Sequence, residues 1–194
     1  MKTTLVVASH NKHKIEEISE IVNHNIELIS LSDLKYFEDI PETGNTFVDN
    51  AFIKARTIHT LFHKNCLADD SGLEIFSLNN EPGVYSARYA GEPVDHENNI
   101  QKVLSNLQGI DNREARFVTV LALILNDKEY IFEGEVRGKI STEKKGNNGF
   151  GYDPIFIPDG YEKSFAEMSA EEKNEISHRA AALKKMQSFI NSLI

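Results

Sequence analysis

The spacing of apolar residues in the first part of the chain alternates between strand and helix periods. The apolar run at 5–8 has no helical period, whereas residues 12–23 place their isoleucines on one helical face. Thr46 followed by Asp49 resembles a capping box and predicts a helix start. The predicted elements are a strand at 5–8, a helix at 12–23, a strand at 26–31, a helix from Thr46 to about His63 and a strand at 66–68.

The rest of the chain is dominated by two long strands that flank a turn. Asn126-Asp127 separates two apolar segments and predicts a hairpin. Ser169 with Glu172 forms a second capping-box pattern, which predicts a terminal helix. The predicted elements here are a strand at 73–78, a helix from Asp95 to Gly109, strands at 117–125 and 130–140, and a helix after Ser169.

The order of these elements predicts the fold class. Strands and helices are interleaved at the start of the chain, and hairpins dominate the middle, so the sheet is predicted to be mixed and flanked by helices. The length of 194 residues suits one domain. We therefore predict a single α/β domain over residues 1–194.

Composition and charge exclude several classes of protein. With 40% hydrophobic and 26% charged residues, the chain is predicted to be globular. Its net charge of −9 disfavours nonspecific nucleic-acid binding, and its longest apolar stretches are too short to span a membrane. Cys66 is the only cysteine, which excludes an intramolecular disulfide and favours a reducing, cytoplasmic location.

Polar residues follow the first predicted strand, where the next helix begins. Helix N-terminal amides bind anions, and Lys14 and Asn11 add a positive charge and an amide. The segment lacks the glycines of a P-loop, and a solvated helix start is the alternative interpretation. The segment consists of Ser9, His10, Asn11, Lys12, His13 and Lys14.

Two carboxylates, Asp69 and Asp70, follow the apolar residues 66–68 directly. Carboxylates next to a core are costly unless they bind metal or act as acid and base. An Asp-Ser-Gly turn is the alternative interpretation. Glu42 and Lys54 lie in neighbouring predicted elements, and their convergence with the two aspartates would favour a site.

A glycine-rich loop at 146–154 carries two aromatic residues and a carboxylate, which suit the binding of a flat ring by stacking and an edge hydrogen bond. Its glycines do not match a dinucleotide-binding motif, and a long structural turn is the alternative. Lys173, His178 and Arg179 supply donors for a phosphate or a carbonyl oxygen, although basic residues on a terminal helix are often only solvated.

Seven segments taken in order resemble the inosine/xanthosine triphosphate pyrophosphatase family, and the likeness spans nearly the whole chain. The segments are Ser9-x-Asn11-x-x-Lys14, Glu42-Thr43-Gly44-x-Thr46-Phe47, Asn50-Ala51-x-x-Lys54-Ala55, Ala68-Asp69-Asp70-Ser71-Gly72-Leu73, Pro82-Gly83-Val84-Tyr85-Ser86-Ala87-Arg88-Tyr89, Phe150-Gly151-Tyr152-Asp153-Pro154 and Ile176-Ser177-His178-Arg179.

The resemblance implies an enzyme that hydrolyses the deaminated purine nucleotides ITP, dITP and XTP to the monophosphate and pyrophosphate. It implies a Mg²⁺-dependent homodimer with a long, mixed, twisted sheet and two lobes with an active-site cleft between them. A pyrophosphatase of similar fold that acts on pyrimidine or methylated nucleotides is the nearest alternative. A nucleotide-binding regulatory module and an FMN-binding flavodoxin-like protein are more distant ones.

The resemblance also implies roles on the phosphate side of the site. Glu42 and Asp70 bind magnesium, and Asp70 is the base that activates water. Lys54 supports that water and the phosphates, while Asp69 orients Asp70. The residues implied to hold the triphosphate are Ser9, His10, Asn11, Lys12, His13 and Lys14.

On the nucleoside side, the resemblance implies that Phe150 stacks on the base. His178 and Arg179 are implied to contact its 6-oxo group, and Ser71 and Lys173 to contact the nucleotide. The base pocket is implied to continue through Gly151, Tyr152 and Asp153.

Overall fold

A computed structural model describes residues 2–193, so the first and last residues of the predicted domain lie outside the described part. The strands are β1 (Thr3–Val7), β2 (Ile26–Ser30), β3 (Cys66–Ile75), β4 (Glu81–Pro82), β5 (Glu114–Leu125), β6 (Lys128–Ile140) and β7 (Phe156–Pro158). The α-helices are α1 (Lys12–Ile21), α2 (Phe47–Phe62), α3 (His96–Asn106), α4 (Ala170–Ile176) and α5 (His178–Asn191).

The strands form one seven-stranded sheet in the order β2-β1-β3-β5-β6-β7, with β4 paired to β3. Strand β1 pairs in parallel with both β2 and β3. Strand β4 is antiparallel to β3, and β7 is antiparallel to β6. The predicted α/β class and mixed sheet are therefore confirmed.

The chain divides into two compact units, each with its own hydrophobic core. Unit 1 contains the described residues up to Asp70, Thr119–Gly134 and the described residues from Arg179 onward. Unit 2 contains Ser71–Val118 and Glu135–His178. Strands β3, β5 and β6 run through both units. The single domain and the cleft stay predictions.

Local capping signals in the sequence are confirmed. The Thr46 hydroxyl accepts a hydrogen bond from the Asp49 amide at 3.1 Å and caps α2. Asn126 and Asp127 have φ of 50° and 60°, the left-handed conformation that two-residue hairpin turns require. These residues therefore fix where α2 begins and where β5 turns into β6.

Strand β3 corrects the prediction of separate strands at 66–68 and 73–78. It is continuous from Cys66 to Ile75 and includes both aspartates, which are buried. Two charged aspartates are too costly to bury within a strand unless other groups compensate their charge. Here buried cations compensate it, so the strand continues through them. The alternative of an Asp-Ser-Gly turn is wrong.

The predicted single terminal helix is two helices. The Ser169–Glu172 capping box begins α4 as predicted, but Ser177 is extended, with φ −67° and ψ 155°, and separates α4 from α5. Apolar periodicity continues across this break and so does not reveal it. The break places His178 and Arg179 in the first turn of α5.

No helix between residues 2 and 193 has both the length and the apolar character needed to cross a membrane.

Candidate active site

The side chains of Asp69 and Asp70 contact different cations. Successive side chains of a strand point to opposite faces of the sheet, so the neighbouring aspartates on β3 are directed to different closest partners. Asp69 contacts Lys14 and Arg179, whereas Asp70 contacts Lys54. All of these residues belong to unit 1.

Asp69 is the centre of a buried ion-pair network. Its Oδ1 lies 3.2 Å from Lys14 Nζ, and its Oδ2 accepts from Arg179 Nη2 at 3.0 Å and Nε at 3.3 Å. Arg179 Nη1 also donates to Glu17. Three elements of unit 1 meet in this network, because the lysine and Glu17 come from α1, the aspartate from β3 and the arginine from α5.

The pKa values of the two cations in this network shift in opposite directions. Burial lowers the pKa of Lys14, and the charges of Lys54 and Arg179 lower it further, against the opposing effect of Asp69. Burial also acts to lower the pKa of Arg179, but Asp69 and Glu17 outweigh it and the pKa is raised. Arg179 therefore stays charged although it is fully buried.

Lys54 links the second aspartate to a carboxylate from the loop before α2. Its Nζ lies 2.5 Å from Glu42 Oε1 and 3.5 Å from Asp70 Oδ1. Lys54 is on the buried face of α2. Burial acts to lower the pKa of Lys54, but Asp70, Glu42 and Asp69 together outweigh it, so the pKa is raised. We call Glu42, Lys54 and Asp70 the lysine–carboxylate cluster.

The pKa of Asp70 is raised above the usual value for an aspartate. Burial is the main cause, and the negative charges of Glu42 and Asp69 add to it, against the opposing effects of Lys54 and Lys14. A carboxylate with a raised pKa accepts a proton more readily than an exposed aspartate does. This property is what a general base requires.

The segment that begins α1 is organised by its own side chains. Asn11 caps the helix, because its Oδ1 accepts from the Lys14 amide at 3.2 Å, and Ser9 Oγ accepts from the Asn11 amide at 3.2 Å. His10 Nε2 bonds the Glu38 carbonyl at 3.0 Å, and its ring stacks on Tyr36. The first turn of α1 has no acidic residue, which suits an anion.

Lys12 and His13 are exposed on the first turn of α1. His13 Nδ1 lies 3.7 Å from Glu16 Oε2 on the same helix. Of the cations predicted to hold a triphosphate, the structure brings only Lys14 to the buried network around Asp69. The roles of Lys12 and His13 stay predictions.

In unit 2, Asp153 joins two of the residues predicted to bind the base. Its Oδ2 accepts from the Phe150 amide at 2.9 Å and from Lys173 Nζ at 2.7 Å. Lys173 Nζ also lies 5.3 Å from the centre of the Phe150 ring, a cation–π contact. The ammonium group, the carboxylate and the aromatic ring thus form one compact group, which we call the Phe150 cluster.

The tight turn of this loop depends on Gly149. Its φ is +73°, and a Cβ atom there would lie 2.1 Å from Asp153 Oδ2. Any other residue at this position would push away the carboxylate that holds Phe150 and Lys173. Gly151 also has a positive φ, of +60°. The glycines of this loop therefore serve its backbone geometry rather than a dinucleotide-binding motif.

Tyr152, predicted to continue the base pocket, is a buried residue of unit 2, and its place in that pocket stays a prediction. It packs in the hydrophobic core of unit 2, and its hydroxyl donates to the Ser86 carbonyl at 2.8 Å. Burial raises its pKa above the usual tyrosine value. A buried phenol whose hydroxyl already bonds a backbone carbonyl has a packing role.

His178 and Arg179 are adjacent in sequence but contact different residues. The His178 ring stacks on Phe117 in unit 2, with the ring centres 4.8 Å apart. The Arg179 guanidinium bonds carboxylates of unit 1. Ser71 is half-buried on β3. The predicted contacts of these three residues with a nucleotide stay predictions.

The donor set of the lysine–carboxylate cluster fits a magnesium ion that also binds substrate. Across residues 2–193, no group of three or more His, Cys, Asp or Glu side chains is arranged to hold a metal ion. Mg²⁺ commonly binds one or two carboxylates and completes its coordination with waters and substrate phosphates. Glu42 and Asp70, which both contact Lys54, provide such a pair.

Sequence reasoning missed Glu17, which bonds Arg179. A signal for it exists, because Glu17 lies three residues after Lys14 and so shares its face of α1. Its partner, Arg179, lies 162 residues away in the chain, and no local pattern connects them.

Comparison with known proteins places the chain in a family. The Ham1 family model matches residues 5–189. A dITP/XTP pyrophosphatase of Christiangramia forsetii is 50% identical over 187 residues, which cover 96% of this chain and 98% of that protein. A dITP/XTP pyrophosphatase of Flavobacterium johnsoniae is 48% identical over 182 residues, which cover 94% of this chain and 95% of that protein.

A solved structure, that of the Staphylococcus aureus Ham1 protein, has a TM-score of 0.90 at 42% sequence identity. The match covers 99% of this chain and 100% of that chain. Sequence and fold thus agree along almost the whole length, and the chain belongs to the Ham1 family.

Proposed function

We propose that this chain hydrolyses the deaminated purine nucleoside triphosphates dITP, ITP and XTP to the monophosphate and pyrophosphate. The proposal is supported by relatives, matched over nearly their full length, that are named dITP/XTP pyrophosphatases. The observation that carries it is the lysine–carboxylate cluster, in which Lys54 Nζ contacts both Glu42 and Asp70. This combination of charges suits attack of water on the α-phosphorus with cleavage of the α–β phosphoanhydride bond, so that pyrophosphate leaves.

The reaction requires a divalent cation, which we propose to be Mg²⁺ held by Glu42 and Asp70. When bound, the ion supplies neutralisation of phosphate charge and polarisation of the phosphoryl group. Glu42 is partly exposed, whereas Asp70 is buried. One carboxylate is thus accessible to a metal with its water shell, and the other is held rigidly on β3.

Asp70 acts as the general base toward the attacking water. Its carboxylate can accept a proton from water, and its position on a central strand fixes its direction. Lys54 donates to the carboxylates and orients the water and the phosphates. Asp69 holds Lys14 in place, so that the lysine presents its charge to the triphosphate.

The segment from Ser9 to Lys14 binds the triphosphate. The amides at the start of α1 attract phosphate oxygens, and Asn11 keeps that turn in place by capping it. This local attraction operates within a Debye length of about 8 Å at physiological salt. The net charge of −9 therefore does not prevent binding of a polyanion.

The Phe150 cluster binds the base. Phe150 stacks on the purine, while Lys173 and His178 provide donors for its carbonyl oxygens. Adenine carries a 6-amino group that would leave such donors unpaired, and a site of this kind rejects the mismatched group by roughly 10⁴-fold. Arg179 is assigned to orienting Asp69, which it contacts directly. We also propose that the protein is cytoplasmic and that it forms a homodimer.

A substrate panel tests the proposal. With purified protein and Mg²⁺, kcat/KM for dITP, ITP and XTP is expected to exceed that for ATP by roughly 10⁴-fold. Chelation by EDTA is expected to abolish turnover. Preference for a pyrimidine or methylated nucleoside triphosphate would instead favour the alternative enzyme of similar fold.

A further inference from the structure

Asn50 is a fully buried polar residue in the interior of α2. Its Oδ1 accepts a hydrogen bond from the Gly44 amide at 2.8 Å. Its Nδ2 is buried and has no hydrogen-bond partner among residues 2–193. Asn50 precedes Lys54 by four residues, so both lie on the same buried face of the helix.

The chain at Gly44 runs in direct contact with this face of α2. A Cβ atom on Gly44 would lie 2.5 Å from the Asp49 Cβ and 2.8 Å from Asn50 Oδ1. Residues 36–44 belong to no helix or strand, so no backbone ladder holds them. The bond from the Gly44 amide to Asn50 therefore attaches the end of this segment to α2.

Glu42 lies two residues before Gly44 and contacts Lys54, one helical turn beyond Asn50. The segment 42–44 is thus attached to α2 at two points, through its backbone at Asn50 and through its carboxylate at Lys54. Without the first attachment, the backbone next to Glu42 would lose its bond to α2, and the carboxylate would keep only its contact with Lys54. Its metal-binding geometry would then no longer be preorganised.

We propose that Asn50 is a positioning residue that holds Glu42 in place for binding of the divalent cation. The inference rests on the proposed function, because it assigns Glu42 to the metal. Asn50 contacts neither the cation nor the reacting atoms in this account. It acts through the backbone of Gly44.

Asn99 provides a matched control within the same chain. It is also a buried asparagine on a helix, and it also anchors a loop, because its Oδ1 accepts from the Ala90 amide at 2.6 Å. Its Nδ2 donates to the Ala87 carbonyl at 2.9 Å, so both ends of its amide are used for structure. It belongs to unit 2 and contacts none of the proposed site residues.

The test compares metal binding by Asn50→Ala, Asn50→Ser and Asn99→Ala. Mn²⁺ serves as the probe, and its binding to each protein without nucleotide is followed by electron paramagnetic resonance. We expect the Mn²⁺ dissociation constant to rise at least tenfold in both Asn50 variants and to stay within twofold of wild type in Asn99→Ala. Thermal melts establish that each variant is folded.

Two further measurements separate positioning from a general structural role. In turnover assays of the Asn50 variants, the Mg²⁺ concentration that gives half-maximal rate is expected to rise in parallel with the Mn²⁺ dissociation constant. Saturating Mg²⁺ is expected to restore most of kcat. In a Glu42→Gln background, Asn50→Ala is expected to weaken Mn²⁺ binding no further, since both changes remove the same ligand.

An unchanged Mn²⁺ affinity in a folded Asn50 variant would overturn the inference. Equal weakening by Asn99→Ala, or additive weakening in the Glu42→Gln background, would overturn it as well. Metal binding is measured without substrate, so these outcomes are distinct from failure of the proposed function. That failure is absence of nucleotide turnover by the wild-type protein.

Discussion

Arg179 Nη2 lies 3.0 Å from Asp69 Oδ2, and both residues are only 1% exposed. The pair joins α5 to β3 across 110 residues of sequence. Lys14 contacts the other oxygen of the same carboxylate. The buried carboxylate of Asp69 is therefore shared by two buried cations. Glu17 contributes a second carboxylate, which bonds Arg179.

Replacement of Asp69 by asparagine is expected to destabilise the protein strongly. It leaves Lys14 and Arg179 without their shared buried carboxylate, and breaking a buried pair costs about 3–5 kcal/mol. Urea denaturation measures the loss. Glu129→Gln is the control, because that glutamate forms an exposed pair with Arg56, worth less than about 1 kcal/mol. Equal losses in the two variants would contradict the assigned role of Asp69.

Asp70→Asn is expected to remove activity without loss of stability. The raised pKa of Asp70 means that the fold disfavours its charged form, so a neutral side chain of the same size is tolerated or stabilising. The same change removes the general base, and kcat is expected to fall at least roughly 100-fold. Steady-state kinetics and urea midpoints check both parts. Turnover near the wild-type level would transfer the role of base to Asp69.

Cys66 predicts how stability varies at alkaline pH. Burial raises the pKa of its thiol to about 12, whereas an unfolded cysteine titrates near pH 8.5. Between these values the unfolded chain releases a proton that the folded chain retains, so stability falls as pH rises, by up to about 1.4 kcal/mol per pH unit. Denaturation at several pH values is expected to show a steeper fall for wild type than for Cys66→Ala. An equal fall of stability with pH in the two proteins would contradict a raised pKa of the Cys66 thiol.

Phe150→Ala is expected to raise KM for ITP, XTP and ATP by a similar factor, with little change in kcat. Stacking on an aromatic ring contributes about 1–3 kcal/mol per base and does not depend on the exocyclic groups. The control is Phe37→Ala in unit 1, whose side chain is 72% exposed. If Phe150→Ala changed the ratio of ITP to ATP turnover, Phe150 would instead read the edge of the base.

Most of the fold could be predicted because apolar periodicity records which face of each element is buried. The failures have physical causes. Strand β3 continues through Asp69 and Asp70 because cations distant in sequence compensate their charge. The break at Ser177 depends on one extended residue within an otherwise helical pattern, and periodicity does not detect it.

The candidate site, like the fold, could be predicted only in part. The sequence indicated that Glu42 and Lys54 converge with the aspartates, and the structure brings Lys54 within 2.5 Å of Glu42 and 3.5 Å of Asp70. The network of Asp69 with Arg179 and Glu17 could not be predicted, because its members come from distant parts of the chain. The burial of Tyr152 could not be predicted either, because an aromatic residue in a glycine-rich loop gives no local signal of the core that it packs in.

The products formed from ITP in H₂¹⁸O test the central claim most directly. Attack of water on the α-phosphorus, with Asp70 as base, predicts that IMP and pyrophosphate appear together and that the ¹⁸O label is found in IMP. Chromatography and mass spectrometry of the products measure both. Accumulation of IDP with orthophosphate, or label in pyrophosphate, would contradict the account.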